Sequence, residues 1–147
     1  MKLDKTNIAI LKELRDGRKS FKEIAEKTAI SENTARSRVT KLIEMGVLTI
    51  TGLVNPELIP GHNVVMAGIK LNNMDLLSKG KEFSKIRGVV SVSVVTGRFD
   101  LILTVLLNEN YGLLEFLTGG VAKIEEVQSV ETFVVYKNYN LGVPYIL

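Results

Sequence analysis

The chain reads as an α+β protein in two parts. An N-terminal helix-turn-helix unit of winged-helix-like type covers residues 1–51, and a C-terminal ferredoxin-like βαββαβ unit covers residues 64–147. Three observations predict this. Between Ser20 and Leu48 two short amphipathic segments meet at a tight polar turn. After residue 63 the apolar period changes from helical to alternating. Between the two, Gly52, Asn55-Pro56, Pro60 and Gly61 interrupt any period and mark 52–63 as a hinge linker.

In chain order, Asp4 to Asp16 predicts a first helix burying Ile8, Leu11 and Leu14. Ser20-Phe21-Lys22-Glu23 is a capping box, and Phe21, Ile24, Ala25 and Thr28 follow at helical spacing. A turn over Thr28 to Ile30 leads to Ser31, an N-cap for the second helix of the pair, whose inward stripe is Ala35, Val39, Leu42 and Ile43. Met45-Gly46 ends it at a left-handed C-cap. Val47 to Thr51 alternates like a short strand, a wing or hinge. Beyond the linker, Val64–Leu71 reads as a strand and Met74–Ile86 as a helix with Leu76, Leu77, Phe83 and Ile86 inward. Val89–Thr96, with Val90, Val92 and Val94 on one face, and Leu101–Leu107 are strands joined by the turn Gly97-Arg98-Phe99-Asp100. Tyr111–Lys123 reads as a helix with Leu114, Leu117, Val121 and Ile124 inward, weakened near Gly119-Gly120, and Val127–Tyr136 as the last strand. Leu101–Leu107 is apolar on both sides, so the sheet face away from the helices is expected to pack on a second copy of the chain.

The outward face of the helix after Ser31 carries the chemistry. With Ala35, Val39 and Leu42 inward, Asn33, Ser37 and Thr40 point out, Thr34 and Lys41 lie to one side, and Arg36 and Arg38 flank them. Small hydrogen-bonding side chains let a helix backbone approach base edges in the major groove, and flanking cations take phosphates. Ser31, Asn33, Thr34, Arg36, Ser37, Arg38, Thr40 and Lys41 are therefore the candidate DNA-binding residues, the alternative being an ordinary solvated basic helix. The charge distribution agrees. The net charge is +3, but eleven Lys/Arg stand against seven Asp/Glu through Gly52, and eight against nine beyond it. Positive charge on the N-terminal third suits double-stranded DNA.

Over essentially its whole length the chain resembles the Lrp/AsnC (feast/famine) transcription regulators. The resemblance rests on Leu3-Asp4 with Ile8 to Leu11, on Ile30 to Val39, on Lys41 to Leu48, and on Thr96-Gly97-Arg98-Phe99-Asp100-Leu101-Ile102-Leu103. It implies a C-terminal domain of RAM/AsnC type that binds an effector, typically an amino acid, between dimers. It also implies homodimers that associate further, often into octamers. The hairpin Gly97, Arg98, Phe99, Asp100 is the expected effector site: Gly97 opens a backbone N–H to a carboxylate, and Asp100 can accept from an α-ammonium. The alternative is that Gly97 satisfies a positive φ and Asp100 caps the turn.

Enzyme classes find little support. The chain has 147 residues and no cysteine, and its single His62 lies in the linker without a carboxylate cluster, so no catalytic residue, metal site or cofactor is expected. A sirohaem-decarboxylase-like enzyme is the competing reading, yet after Gly61 the chain offers only His62, Arg87 and Arg98 for tetrapyrrole chemistry. An effector-sensing assembly module without DNA binding is the other. No apolar leader or membrane-length run is present, and the expected location is the cytoplasm.

Overall fold

A computed structural model describes residues 3–147; Met1 and Lys2, which the sequence reading places in the first unit, lie outside the described residues. The chain divides into two compact units, Met1–Thr51 and Gly52–Leu147.

The first unit is built from α1 (Lys5–Glu13), α2 (Phe21–Thr28) and α3 (Glu32–Glu44). Each begins at a side-chain cap. The Asp4 carboxylate accepts from the Asn7 N–H at 2.7 Å, the Ser20–Glu23 capping box closes in both directions, and the Ser31 hydroxyl accepts from the Thr34 N–H at 3.1 Å. Ala29 takes the left-handed conformation in the turn, and Gly46 has φ +68° just past α3, where the C-cap was expected. The core is Ile10, Ile24, Ala25, Ala35, Val39 and Leu42, edged by Leu3, Leu11, Leu14, Phe21, Ile30 and Leu48.

Three expectations for this unit are corrected. Ile8 is exposed, because α1 turns Asn7, Ile10, Leu11 and Leu14 toward the other helices, a stripe at helical spacing that leaves Ile8 outside it. Ile43 is also exposed, one residue step past Leu42 on the helix. Val47–Thr51 forms no strand: the Val47 and Leu48 N–H groups donate back to the Leu42 carbonyl at 3.0 and 3.1 Å and finish the helix end.

The second unit holds β1 (Asn63–Leu71), α4 (Leu76–Phe83), β2 (Val89–Val94), β3 (Leu101–Leu107), α5 (Leu113–Glu115) and β4 (Val127–Val134). The chain after α5 widens to a π-helix over Phe116–Gly120 and tightens to a 3-10 turn over Val121–Lys123, so the helix departs from α geometry where Gly119-Gly120 weakens it. The strands form one antiparallel sheet in the order β2-β3-β1-β4. Phe83, Phe116 and Val121 bury one sheet face, against Val65, Ala67, Ile69 and Leu71 of β1 and Leu101, Leu103, Val105 and Leu107 of β3. Leu77 and Leu114 are 74% and 75% exposed rather than inward, and the fully buried Phe116 does the packing assigned to Leu114.

On the opposite face Val64, Leu106 and Val143 form a smaller core with Val54, Val90 and Leu141 at its edge. A register shift between Val89 and Ser91 places Val90 here while Val92 packs with the helices, so the expected common face of Val90, Val92 and Val94 is broken by a bulge. Val54 pairs with Val143 through two backbone hydrogen bonds of 2.9 and 3.0 Å, and Pro56–Leu58 makes a 3-10 turn capped by Asn55. Within the segment 52–63, expected as a hinge linker, Val54 is thus tied to Val143 and Pro56 is buried, while most of the other residues are exposed. This face keeps Met66 and Phe133 about half exposed. Among the described residues no helix is long and apolar enough to cross a membrane.

Candidate functional site

A groove of about 600 Å³ runs along the outward face of α3, lined by Asn33, Thr34, Ser37, Arg38 and Lys41 together with Asp4, Asn7 and Leu42. It brings together five of the eight candidate DNA-binding residues. Thr40 is exposed on α3 but outside the groove. Ser31 is the N-cap, its hydroxyl also 2.8 Å from that of Thr34. Arg36 lies elsewhere: its guanidinium pairs with Glu32 at 3.0 Å and sits 4.5 Å from the centre of the Phe21 ring.

The cations of this face are not equivalent. One nitrogen of the Arg38 guanidinium donates to the Asp4 carboxylate at 2.7 Å and to the Asn7 side-chain oxygen at 2.8 Å. That hydrogen bond from Arg38, with the Asn7 N–H, holds the Asp4 carboxyl below its ordinary value. Asn7 is 4% exposed, and its amide would be a costly polar group in the core without this partner. Lys41 has no ion pair among the described residues and is exposed.

In the second unit the β2–β3 connection is longer than the expected four-residue turn. Val94 pairs with Leu101, and the loop between them is closed by the Val95 N–H donating to the Asp100 carbonyl at 3.0 Å. It folds onto the sheet face opposite the helices. The Phe99 ring lies over Gly68 of β1, where a Cβ would come within 2.7 Å of three ring carbons, and it meets the Phe133 ring edge-on at 6.2 Å. Only glycine allows this approach. Arg98 reaches Glu131 of β4. The Asp100 carboxylate accepts from the Leu71 N–H at 2.8 Å and from the Lys70 ammonium at 2.9 Å, and these bonds depress its pKa. Asp100 therefore fastens the hairpin to the end of β1. Gly97 has φ +128°, and nothing lies within 4 Å of where its Cβ would be, so the tip is open.

Sequence reasoning missed Asp4 and Asn7 as part of the α3 groove. Asn7 carried a usable signal, a polar residue on the apolar stripe of α1. Also unforeseen is a hollow of about 440 Å³ beside the π-helix, lined in part by Arg87, Tyr111 and Glu115. His62 is engaged locally, with Nδ1 2.9 Å from the Pro60 carbonyl and Nε2 3.3 Å from the Tyr145 hydroxyl. Among the described residues no group of three or more His, Cys, Asp or Glu is placed to hold a metal.

A helix-turn-helix with a small, polar and basic outer face, followed by a βαββαβ unit, defines a DNA-binding regulator with a separate sensing domain. Residues 3–49 match the winged helix-turn-helix DNA-binding family and residues 64–143 match the Lrp/AsnC ligand binding domain. The chain belongs to the Lrp/AsnC family of transcriptional regulators. It is 31% identical over 137 residues to an HTH-type transcriptional regulator of Pyrococcus abyssi, covering 92% of this chain and 87% of that one. A second relative, an HTH-type transcriptional regulator of Methanocaldococcus jannaschii, is 26% identical over 142 residues, 95% of this chain and 96% of its own. Among solved structures, E. coli AsnC superposes with a TM-score of 0.72 at 25% identity, covering 94% of this chain and 95% of that one. A Neisseria meningitidis transcriptional regulator, solved as a complex with L-Met, shares the fold with a TM-score of 0.74 at 23% identity, covering 99% and 96%.

Proposed function

We propose that the outward face of α3 reads DNA sequence, with Asn33 and Ser37 toward base edges and Lys41 toward phosphates. The observation that carries this is the groove along α3, where short polar side chains stand beside an unpaired lysine. Contacts of that kind combine base readout with a salt-dependent backbone term. Titration of a duplex from the gene's own upstream region at low and high salt tests it. Binding that ignores sequence and salt contradicts it.

The second unit senses a small ligand, and we assign the site to the hairpin Gly97–Asp100. An amino acid or related carboxylate suits the open Gly97 backbone and the neighbouring Arg98, with Asp100 holding the loop in place. The L-Met complex of the Neisseria meningitidis protein supports an amino acid as the ligand class. A second copy of the chain covers Met66 and Phe133 of the open sheet face, and such dimers associate further, as in octamers. The protein acts on DNA in the cytoplasm and catalyses no reaction. A thermal-shift screen of the amino acids against wild type and Arg98→Ala tests the sensing site. A ligand that stabilises both equally contradicts the placement.

A further inference from the structure

The groove on α3 contains an acid. Asp4 is about half exposed at its wall, in a position where DNA phosphates would be brought close if α3 reads DNA. One of its oxygens caps α1 through the Asn7 N–H, and the other accepts from Arg38. The same Arg38 nitrogen also donates to Asn7, so the cation is held from two sides and its charge is compensated within the protein. The remaining guanidinium N–H groups of Arg38 can still reach a phosphate, but with its charge matched by the carboxylate Arg38 gains less from that contact.

We propose that Asp4 attenuates the DNA affinity of this face: it compensates the charge Arg38 would bring to the phosphate backbone and repels phosphate itself, which lowers affinity for every sequence alike. Base-edge contacts from Asn33 and Ser37 do not depend on that charge. The ratio of specific to non-specific binding is therefore unchanged while both affinities fall, so Asp4 tunes how tightly the face holds DNA and not which sequence it prefers. The proposal rests on α3 as the DNA-reading helix.

Asp4→Asn removes the charge and keeps the shape and the cap, since Asn caps helices about as well as Asp. Two probes serve: a short duplex of random sequence, and one carrying the site most enriched when wild type selects from a random pool. Fluorescence anisotropy is read between about 50 and 200 mM salt. Freed from Asp4, Arg38 adds one phosphate contact, so on the random duplex the slope of log K against log salt steepens by about 0.9. The affinity lost over that salt range then grows about 3.5-fold. The preference for the selected site stays the same, because both duplexes gain the contact. Asp4→Asn/Arg38→Gln returns the slope to the wild-type value. Asp4→Ser, a second uncharged cap, behaves like Asp4→Asn and covers the case in which that variant folds poorly. An unchanged slope in both uncharged variants overturns the proposal and leaves Asp4 a helix cap alone. Lys41→Ala separates the two levels of the argument. It flattens the slope by about 0.9 in either background; if it does not, the assignment of α3 fails and the proposal with it.

Discussion

Replacing Gly68 by Ala tests how the hairpin is seated on the sheet. The new Cβ would stand 2.7 Å from three carbons of the Phe99 ring, whereas carbon atoms pack best at about 3.5–4.0 Å, so the ring must retreat by roughly 1 Å. It has little freedom to do so. Phe133 meets the ring edge-on, Arg98 on one side is paired with Glu131, and Asp100 on the other is tied to Lys70 and the Leu71 N–H. Overpacking of this kind costs about 1–3 kcal/mol. Ala in a strand recovers about 0.5–1 kcal/mol relative to Gly, which leaves a net loss of about 1 kcal/mol. For a unit of this size that loss lowers Tm by about 4–8 °C. Calorimetry of wild type, Gly68→Ala, Phe99→Ala and the double variant measures it, and the double variant should lose about 1 kcal/mol less than the sum of the singles. A Gly68→Ala protein as stable as wild type, or more so, would show that Phe99 does not rest on Gly68.

Three further outcomes are expected. Ser31→Ala removes the cap of α3 and should destabilise the first unit by about 1 kcal/mol, seen as a lower thermal midpoint; no change would mean that the Ser31–Thr34 bond contributes nothing. The Asp100 carboxyl is held below its ordinary value of 3.8, first by the Leu71 N–H and then by Lys70, so its contribution is present above that pH and lost as pH falls through the lower folded value. The stability gap between wild type and Asp100→Asn should therefore narrow from about pH 5 downward, and a gap independent of pH would contradict the assignment. Sedimentation of the full chain at micromolar concentration should give at least a dimer, because Met66 and Phe133 lie on an uncovered apolar face; a stable monomer would mean that this face stays in water.

What the sequence disclosed was local. The capping box at Ser20 and Glu23, the cap at Ser31 and the left-handed Gly46 each depend on residues within one turn, and each stands where the pattern placed it. The order of strands and helices followed from the change of period. Errors arose where neighbours distant in the chain decide. Ile8 and Ile10 fit a helical stripe almost equally well, and the packing of α2 and α3 chooses Ile10. Leu114 and Phe116 were similarly ambiguous until the sheet selected the larger ring. The breakers in 52–63 suggested a hinge, yet Val54 is held by Val143 through a pairing that no local signal announces. At the candidate site the same division holds. The composition of the α3 face was legible, but the pairing of Arg38 with Asp4, and the engagement of Asp100 by Lys70 and Leu71, join residues about thirty positions apart.

The most direct test of the account is the affinity of wild type and Ser37→Ala for two duplexes at one salt concentration, the selected site and a scrambled sequence. If α3 reads bases, Ser37→Ala weakens the selected site by about 1–3 kcal/mol and leaves the scrambled duplex unchanged. Equal affinity of wild type for the two duplexes, or an equal loss on both in the variant, would contradict it.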